Sequence, residues 1–144
     1  MATTTLSAIV SSLATAIEAG GVWARAQSGA LPDELPAGDA DSHFTVEFPE
    51  QLVPGEATGL AGTAAVDQLV RVVCRRLLAG DPLSEEPTLI DHARTAAHLV
   101  ETATYPAGVD LVAIDSMRFS RDTADPSWGL ITTVVRIRYL TAYP

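Results

Sequence analysis

Apolar positions along this chain fall into two rhythms. Leu6, Ile9, Val10, Leu13 and Ile17 recur at spacings of three and four, which predicts an amphipathic helix over residues 3–19. One of Thr3, Thr4 and Thr5 caps its start, and Gly20-Gly21 stops it. Residues 43–48 change to a period of two. Phe44, Val46 and Phe48 point one way and Thr45 and Glu47 the other, and Pro49 ends the strand because it cannot continue the ladder. Residues 66–78 satisfy both rhythms. A helix there presents Val66, Leu69, Val70, Val73 and Leu77 on one stripe. A strand presents Val70, Val72 and Cys74 on one face and Arg71 and Arg75 on the other; the density of valine favours the strand. A second helix is predicted over residues 88–104, with Leu89, Ala93, Ala96, Val100 and Ala103 facing inward. Pro87 precedes it, Thr88 and Asp91 form a capping-box-like pair, and Pro106 and Gly108 end it. Residues 111–119 and 130–140 read as closing strands. In the last one Ile131, Val135, Ile137 and Tyr139 share a face opposite Arg136 and Arg138. The connection over 120–128 contains Asp125-Pro126 and is turn-like.

Two stretches lack either rhythm. Residues 27–43 are rich in Gly, Pro, Ala and Asp, and residues 54–65 read PGEATGLAGTAA. Both are expected to be mobile loops, the second alternatively a hairpin extension and too poor in bulk to pack on its own. The order helix, strand, strand, helix, strand, strand predicts a single α+β domain over 1–144. Its two helices would pack on one face of a mostly antiparallel sheet of about four strands.

Composition narrows the function. A chain of 144 residues, 47% of them apolar, buries enough surface to fold without a metal or disulfide staple. Cys74 is the single cysteine, so neither an internal disulfide nor a multi-cysteine zinc site is available. No signal-peptide pattern and no apolar run of membrane-spanning length are present, and no membrane partner is expected. The net charge is −9 and unevenly spread. Residues 1–67 carry nine acidic side chains against Arg25 alone; residues 68–144 carry nine against eight arginines. All nine basic residues are arginine. Such a field repels DNA, which suits a protein that DNA slides past and does not suit one that grips it.

Known catalytic arrangements are missing. His92 and His98 are six apart and so miss the i, i+4 spacing of a zinc helix; His43 stands alone. Asp91 and His92 are adjacent and diverge on a helix, so a packed or surface histidine is the better reading than an oriented base. Cys74, in an apolar segment, reads as a core thiol. There is no Gly-rich phosphate loop, no nucleophile elbow and no lysine for a Schiff base. No catalytic residue, metal site or cofactor is expected.

The feature left over is Arg71, Arg75, Arg118, Arg136 and Arg138. If their three strands are neighbours, these side chains share the sheet face turned away from the core. A solvated face with local partners such as Glu47 explains them as well as a subunit-contact surface does. In the contact reading the acidic first part of another copy supplies the carboxylates, and such heterologous contacts close into rings.

Taken together, LSAIVSSLATAIEA, HFTVEF, the PGEATGLAG loop, VDQLVRVVCRRL, IDHARTAAHLVETA and WGLITTVVRIRYL follow one another in an order that resembles the tail-terminator proteins of long-tailed bacteriophages. The resemblance is architectural, covers most of the chain and contains no diagnostic motif. It implies a structural virion protein, assembled in the host cytoplasm: a homohexameric ring at the head-proximal end of the tail tube. That ring ends tube polymerisation and binds the tube protein on one side and the neck or head-completion protein on the other. DNA passes through its lumen without specific binding. Gly55, Glu56, Gly59, Leu60 and Gly62 would form the tube or neck contact loop, and Asp39, Asp41, Glu47 and Glu50 are the acidic lumen candidates. Three other readings are a head-completion, neck or minor tail protein, a small ligand-binding or enzymatic α+β domain, and a host protein whose acidic surface serves only solubility. The second requires polar groups, such as His43 and His92, to converge in one pocket.

Overall fold

In the computed structural model, which describes residues 2–26, 42–48, 62–78 and 80–142, the period-two segments become long strands. Helix α1 spans Leu6–Ala19 and buries Ile9, Leu13, Ala14 and Ile17. It starts three residues later than predicted because Thr5 caps it: its Oγ1 accepts from the Ala8 N–H at 3.2 Å. Gly20 and Gly21 donate back to Ile17 and Glu18, and Gly21 takes a left-handed φ of 74°.

The chain then forms β1, Ala24–Arg25, a two-residue strand parallel to β2, Ser42–Glu47. β3 spans Thr63–Leu77, which settles the ambiguous segment as strand. It starts within the predicted loop 54–65, so residues 63–65 are sheet and not loop. Likewise Ser42 and His43 are sheet, while the rest of 27–43 lies outside the described residues. Phe48 falls beyond β2 and is 52% exposed, so the predicted inward side chain faces out. β4, Val109–Arg121, and β5, Trp128–Ala142, close the fold.

Among the described residues the sheet has five strands, one more than expected, in the order β1-β2-β3-β5-β4, antiparallel apart from the β1–β2 pair. The fold is α+β. β5 inserts between β3 and β4 and pairs with β3 over its whole length. Among the described residues β4 forms one edge of the sheet and the two-residue β1 the other. The register of β4 slips between Val109 and Leu111 and between Ile114 and Ser116, irregularities of the kind that discourage edge-to-edge pairing.

Helix α2, Pro82–Thr102, corrects the predicted start by six residues. Asp81 is the cap: its carboxylate accepts from the Leu83 N–H at 3.1 Å, and Pro82 takes the first helical position, where a missing N–H costs nothing. Pro87 lies inside the helix. The carbonyl it leaves free, that of Leu83, belongs to an exposed turn that water reaches. The expected Thr88–Asp91 capping box does not form. Thr88 donates its hydroxyl to the Ser84 carbonyl at 2.8 Å, and Asp91 lies 3.9 Å from Arg94. Leu89, Ala93, Ala96, Ala97 and Val100 are buried; Ala103, the C-cap, is only partly so.

Both helices lie on one sheet face. The core joins Ile9, Leu13 and Ile17 to Leu89, Ala93 and Val100 and, from the sheet, to Phe44, Val70, Cys74, Ile131, Val135 and Ile137. The inward face is not purely apolar: Gln68 and Thr133 are buried on it.

Candidate interaction surface

Alternation decides what the outer face of the sheet carries. Because Val70, Val72 and Cys74 face the helices, Leu69, Arg71, Val73 and Arg75 face away. On β5 the outward set is Trp128, Leu130, Thr132, Val134, Arg136 and Arg138. On β4 it includes Leu111, Ala113, Ser116, Arg118 and Ser120. The register lines these into rows across β3, β5 and β4: Arg75, Leu130, Ser120; Val73, Thr132, Arg118; Arg71, Val134, Ser116; Leu69, Arg136, Ala113; and Asp67, Arg138, Leu111. All five arginines singled out in the sequence therefore stand on one face, opposite the helices.

Their electrostatic situations differ. Arg136 reaches diagonally across the β3–β5 ladder to Asp67, with Nε and Nη2 donating to the two carboxylate oxygens at 2.9 and 2.5 Å. This pairing holds the Asp67 carboxyl below the usual range; the nearby Arg138 charge adds to it and slight burial opposes it. Arg71 Nε lies 3.4 Å from Glu47 Oε2, a contact that is an ion pair but not a well-formed hydrogen bond. Arg138 lies 3.9 Å from Asp110. Arg75 and Arg118 form no ion pair among the described residues.

Of the acidic candidates, Glu47 sits at the end of β2 facing Arg71, on this outer face. Asp39, Asp41 and Glu50 lie outside the described residues. So do Gly55, Glu56, Gly59 and Leu60. Gly62 immediately precedes β3 with a φ of 88°.

The histidines do not converge. His43 is buried on the outer side beside Trp128, ring centroids 5.8 Å apart. His92 is on α2, on the other side of the sheet. Its carbonyl accepts from Trp23 Nε1 at 3.4 Å, and Trp23 in turn lies under the Arg76 guanidinium, 4.7 Å from the ring centroid. Burial, then the neighbouring Arg76 charge, lowers the His92 pKa. Cys74 is buried and its thiol is pushed up to about 12, chiefly by burial. A cleft of about 400 Å³ at the far end of the sheet is lined by Ala2, Ala65, Val109 and Leu140 with Arg138 and Asp110 as its charged groups. No cluster of three or more His, Cys, Asp or Glu suited to a metal ion occurs among the described residues. No described helix is long and apolar enough to cross a membrane.

Sequence reading missed Arg121, which reaches from the end of β4 to Glu86 on α2 and to the Pro126 carbonyl. It also missed the Trp23–Arg76 stack. Both join residues distant in sequence, and neither leaves a local signal.

No family model matches the chain, and no curated protein matches it in sequence. In three dimensions it is similar to a chain in the structure of the virion of a native gene transfer agent (GTA) particle. The TM-score is 0.59 at 15% identity, over 93% of this chain and 92% of that one. At that identity the likeness is one of fold.

Proposed function

We propose that this protein is a structural component of a phage-like virion and, within it, the tail terminator. In this reading six copies form a ring at the head-proximal end of the tail tube. The ring ends tube polymerisation and contacts the neck protein, and DNA passes through its lumen. The subunit contact lies on the outer face of the sheet, the face that carries the five arginines, and residues 55–62 reach the tube or neck.

The observation that carries the reading is the end-to-end match of fold with a chain of a virion particle, at nearly equal length. A shared domain embedded in a larger enzyme would match only part of its counterpart. Two further features support an assembly role. On β3 the outer face alternates arginine with leucine and valine, and arginine is enriched at interfaces. The titratable groups that chemistry would use are dispersed: His43 and His92 stand on opposite sides of the sheet, and Cys74 is a buried thiol. The excess of acidic over basic side chains, −9 overall, suits a channel that DNA must leave freely.

Native mass spectrometry of the protein, alone and mixed with its tail-tube protein, tests the proposal. A six-fold species, with or without the tube, is the expected result. A strict monomer that ignores the tube at high concentration overturns it. A ring that binds a neck protein and leaves the tube growing would move the chain to the neck.

A further inference from the structure

The five arginines of the outer face are not equivalent, and the difference locates the subunit contact more narrowly. Arg71, Arg136 and Arg138 have carboxylates within their own chain, Glu47, Asp67 and Asp110. Arg75 and Arg118 have none among the described residues. Those two stand in adjacent rows on the strands flanking β5: Arg75 beside Leu130, and Arg118 beside Thr132. Two strand spacings and a two-residue offset put their Cα atoms roughly 12 Å apart. Long side chains at that distance converge on one short acidic segment. Leu130 and the half-buried Trp128 beside them supply the apolar surround that excludes water from such a contact.

We propose that Arg75 and Arg118 form the basic half of a heterologous contact with a second copy of this chain, and that Arg71, Arg136 and Arg138 serve the fold of their own subunit. The inference rests on the assembly role proposed above and assigns its contact residues. Charge complementarity selects the occupant. Covering two arginines with a neutral surface would strand both charges, so whatever docks there brings carboxylates. The chain carries 18 acidic side chains against nine basic ones. Among the described residues Glu101 and Asp125 form no ion pair, and both are exposed. A nucleic acid would meet the same two arginines inside a field of net negative charge. A basic patch on one copy and an acidic patch on the next are different surfaces, so the contact is directional and generates a ring or a filament, not a closed pair.

The test compares three full-length proteins by native mass spectrometry and sedimentation over a concentration series. These are the wild type, Arg75→Glu/Arg118→Glu, and Arg136→Glu/Arg138→Glu, each checked for folding by circular dichroism. The first double variant is expected to weaken self-association by about a hundredfold or more, since truncating interfacial charge partners has effects of that size. Arg75→Gln/Arg118→Gln covers the case in which charge reversal impairs folding and is expected to weaken association in the same direction. The second double variant is expected to change self-association by less than about threefold while lowering thermal stability. Because the first variant keeps its acidic surface, an excess of it added to wild type should shorten the assemblies.

Wild-type assembly that survives both Arg75/Arg118 variants overturns this inference and leaves the assembly role standing. A wild type that never associates, alone or with tube protein, overturns both. Binding of duplex DNA that is lost in the Arg75/Arg118 variants while self-association is unchanged also overturns it, assigning the two arginines to nucleic acid instead.

Discussion

Gly129 offers the sharpest check on how the helix layer meets the sheet. It is buried on the inward face of β5, against Leu89 of α2. A Cβ at that position would lie 2.7 Å from Leu78 Cδ1 and 2.7 Å from Leu89 Cδ2. Both distances are below any real carbon contact, so one leucine must rotate or α2 must lift. The contacting atoms are side-chain ends, which limits the damage, but Leu89 is fully buried and Leu78 is 7% exposed, so neither has open space to enter. Overpacking of this kind costs about 1–3 kcal/mol. The opposing term is the lower chain entropy of an unfolded alanine, about 0.4–1 kcal/mol in favour of the variant. The packing term wins. Gly129→Ala should destabilise by about 1–2 kcal/mol, a fall in Tm of about 3–8 °C for a chain of this size. Leu89→Ala alone should cost about 2–5 kcal/mol through the cavity it leaves. Combined with Gly129→Ala it should cost less than the sum by at least about 0.5 kcal/mol, because the new methyl enters the vacated space. Urea and thermal unfolding of the four proteins measure this directly. A Gly129→Ala protein as stable as the wild type, or a strictly additive double variant, would show that α2 does not press on the sheet where these contacts put it.

Three further outcomes follow from the same packing. Asp81→Ala should lower stability by about 1 kcal/mol through loss of the helix cap, while Thr88→Ala should be neutral or slightly stabilising; thermal melts that reverse this order would restore the shorter helix. Cys74 should resist Ellman's reagent in the native protein at pH 8 and react fully in denaturant, since its thiol is buried and held near 12; rapid native labelling would contradict its burial. His92 has its pKa lowered in the fold, so the native state binds fewer protons than the unfolded one once pH falls below the ordinary histidine value of about 6.5. Stability should therefore be unaffected by this group above that pH and decline as pH drops through it toward the lower folded value. His92→Gln should flatten that decline in denaturation series run from pH 7.5 to pH 5.5, and an unchanged slope would count against the environment described here.

What the sequence disclosed depended on whether a feature was local. Alternation in residues 66–78 and 130–140 placed Arg71, Arg75, Arg136 and Arg138 on a common face, because strand geometry needs no partner to say which way a side chain points. Neighbouring strands then had only to be neighbours. The ion pairs were another matter. Asp67 and Arg136 are 69 residues apart, and their meeting depends on the β3–β5 register, which no single segment encodes. β1 was missed because two residues carry no period. The early start of α2 was legible and misread: Asp81-Pro82 is a better opening than Pro87-Thr88, since aspartate caps and proline fits the first turn. Pro87 drew the boundary because an interior proline usually breaks a helix, and here it stands where the lost bond belongs to an exposed carbonyl. The irregularities in β4 left no trace either, because bulges answer to the partner strand. The tube-contact and lumen candidates fall almost wholly outside the described residues.

The division of labour among the arginines bears on how a ring would assemble. An antiparallel sheet with helices on one side normally gives water a polar opposite face. Here the middle rows are internally neutralised, with Glu47 and Asp67 close to Arg71 and Arg136, so that part of the face can meet solvent or a neighbour at little electrostatic cost. The row pair at Arg75 and Arg118 is positive and uncompensated within the described chain, on a protein whose total charge is −9. Two copies therefore repel at long range and attract only when that corner meets a carboxylate-rich surface. Such a balance disfavours random aggregation and makes the productive contact sensitive to salt: added electrolyte first relieves the mutual repulsion and then weakens the specific pair. A contact of this kind should strengthen and then weaken as ionic strength rises. A contact built on apolar burial alone would strengthen throughout, so the salt profile of self-association separates the two without any mutation.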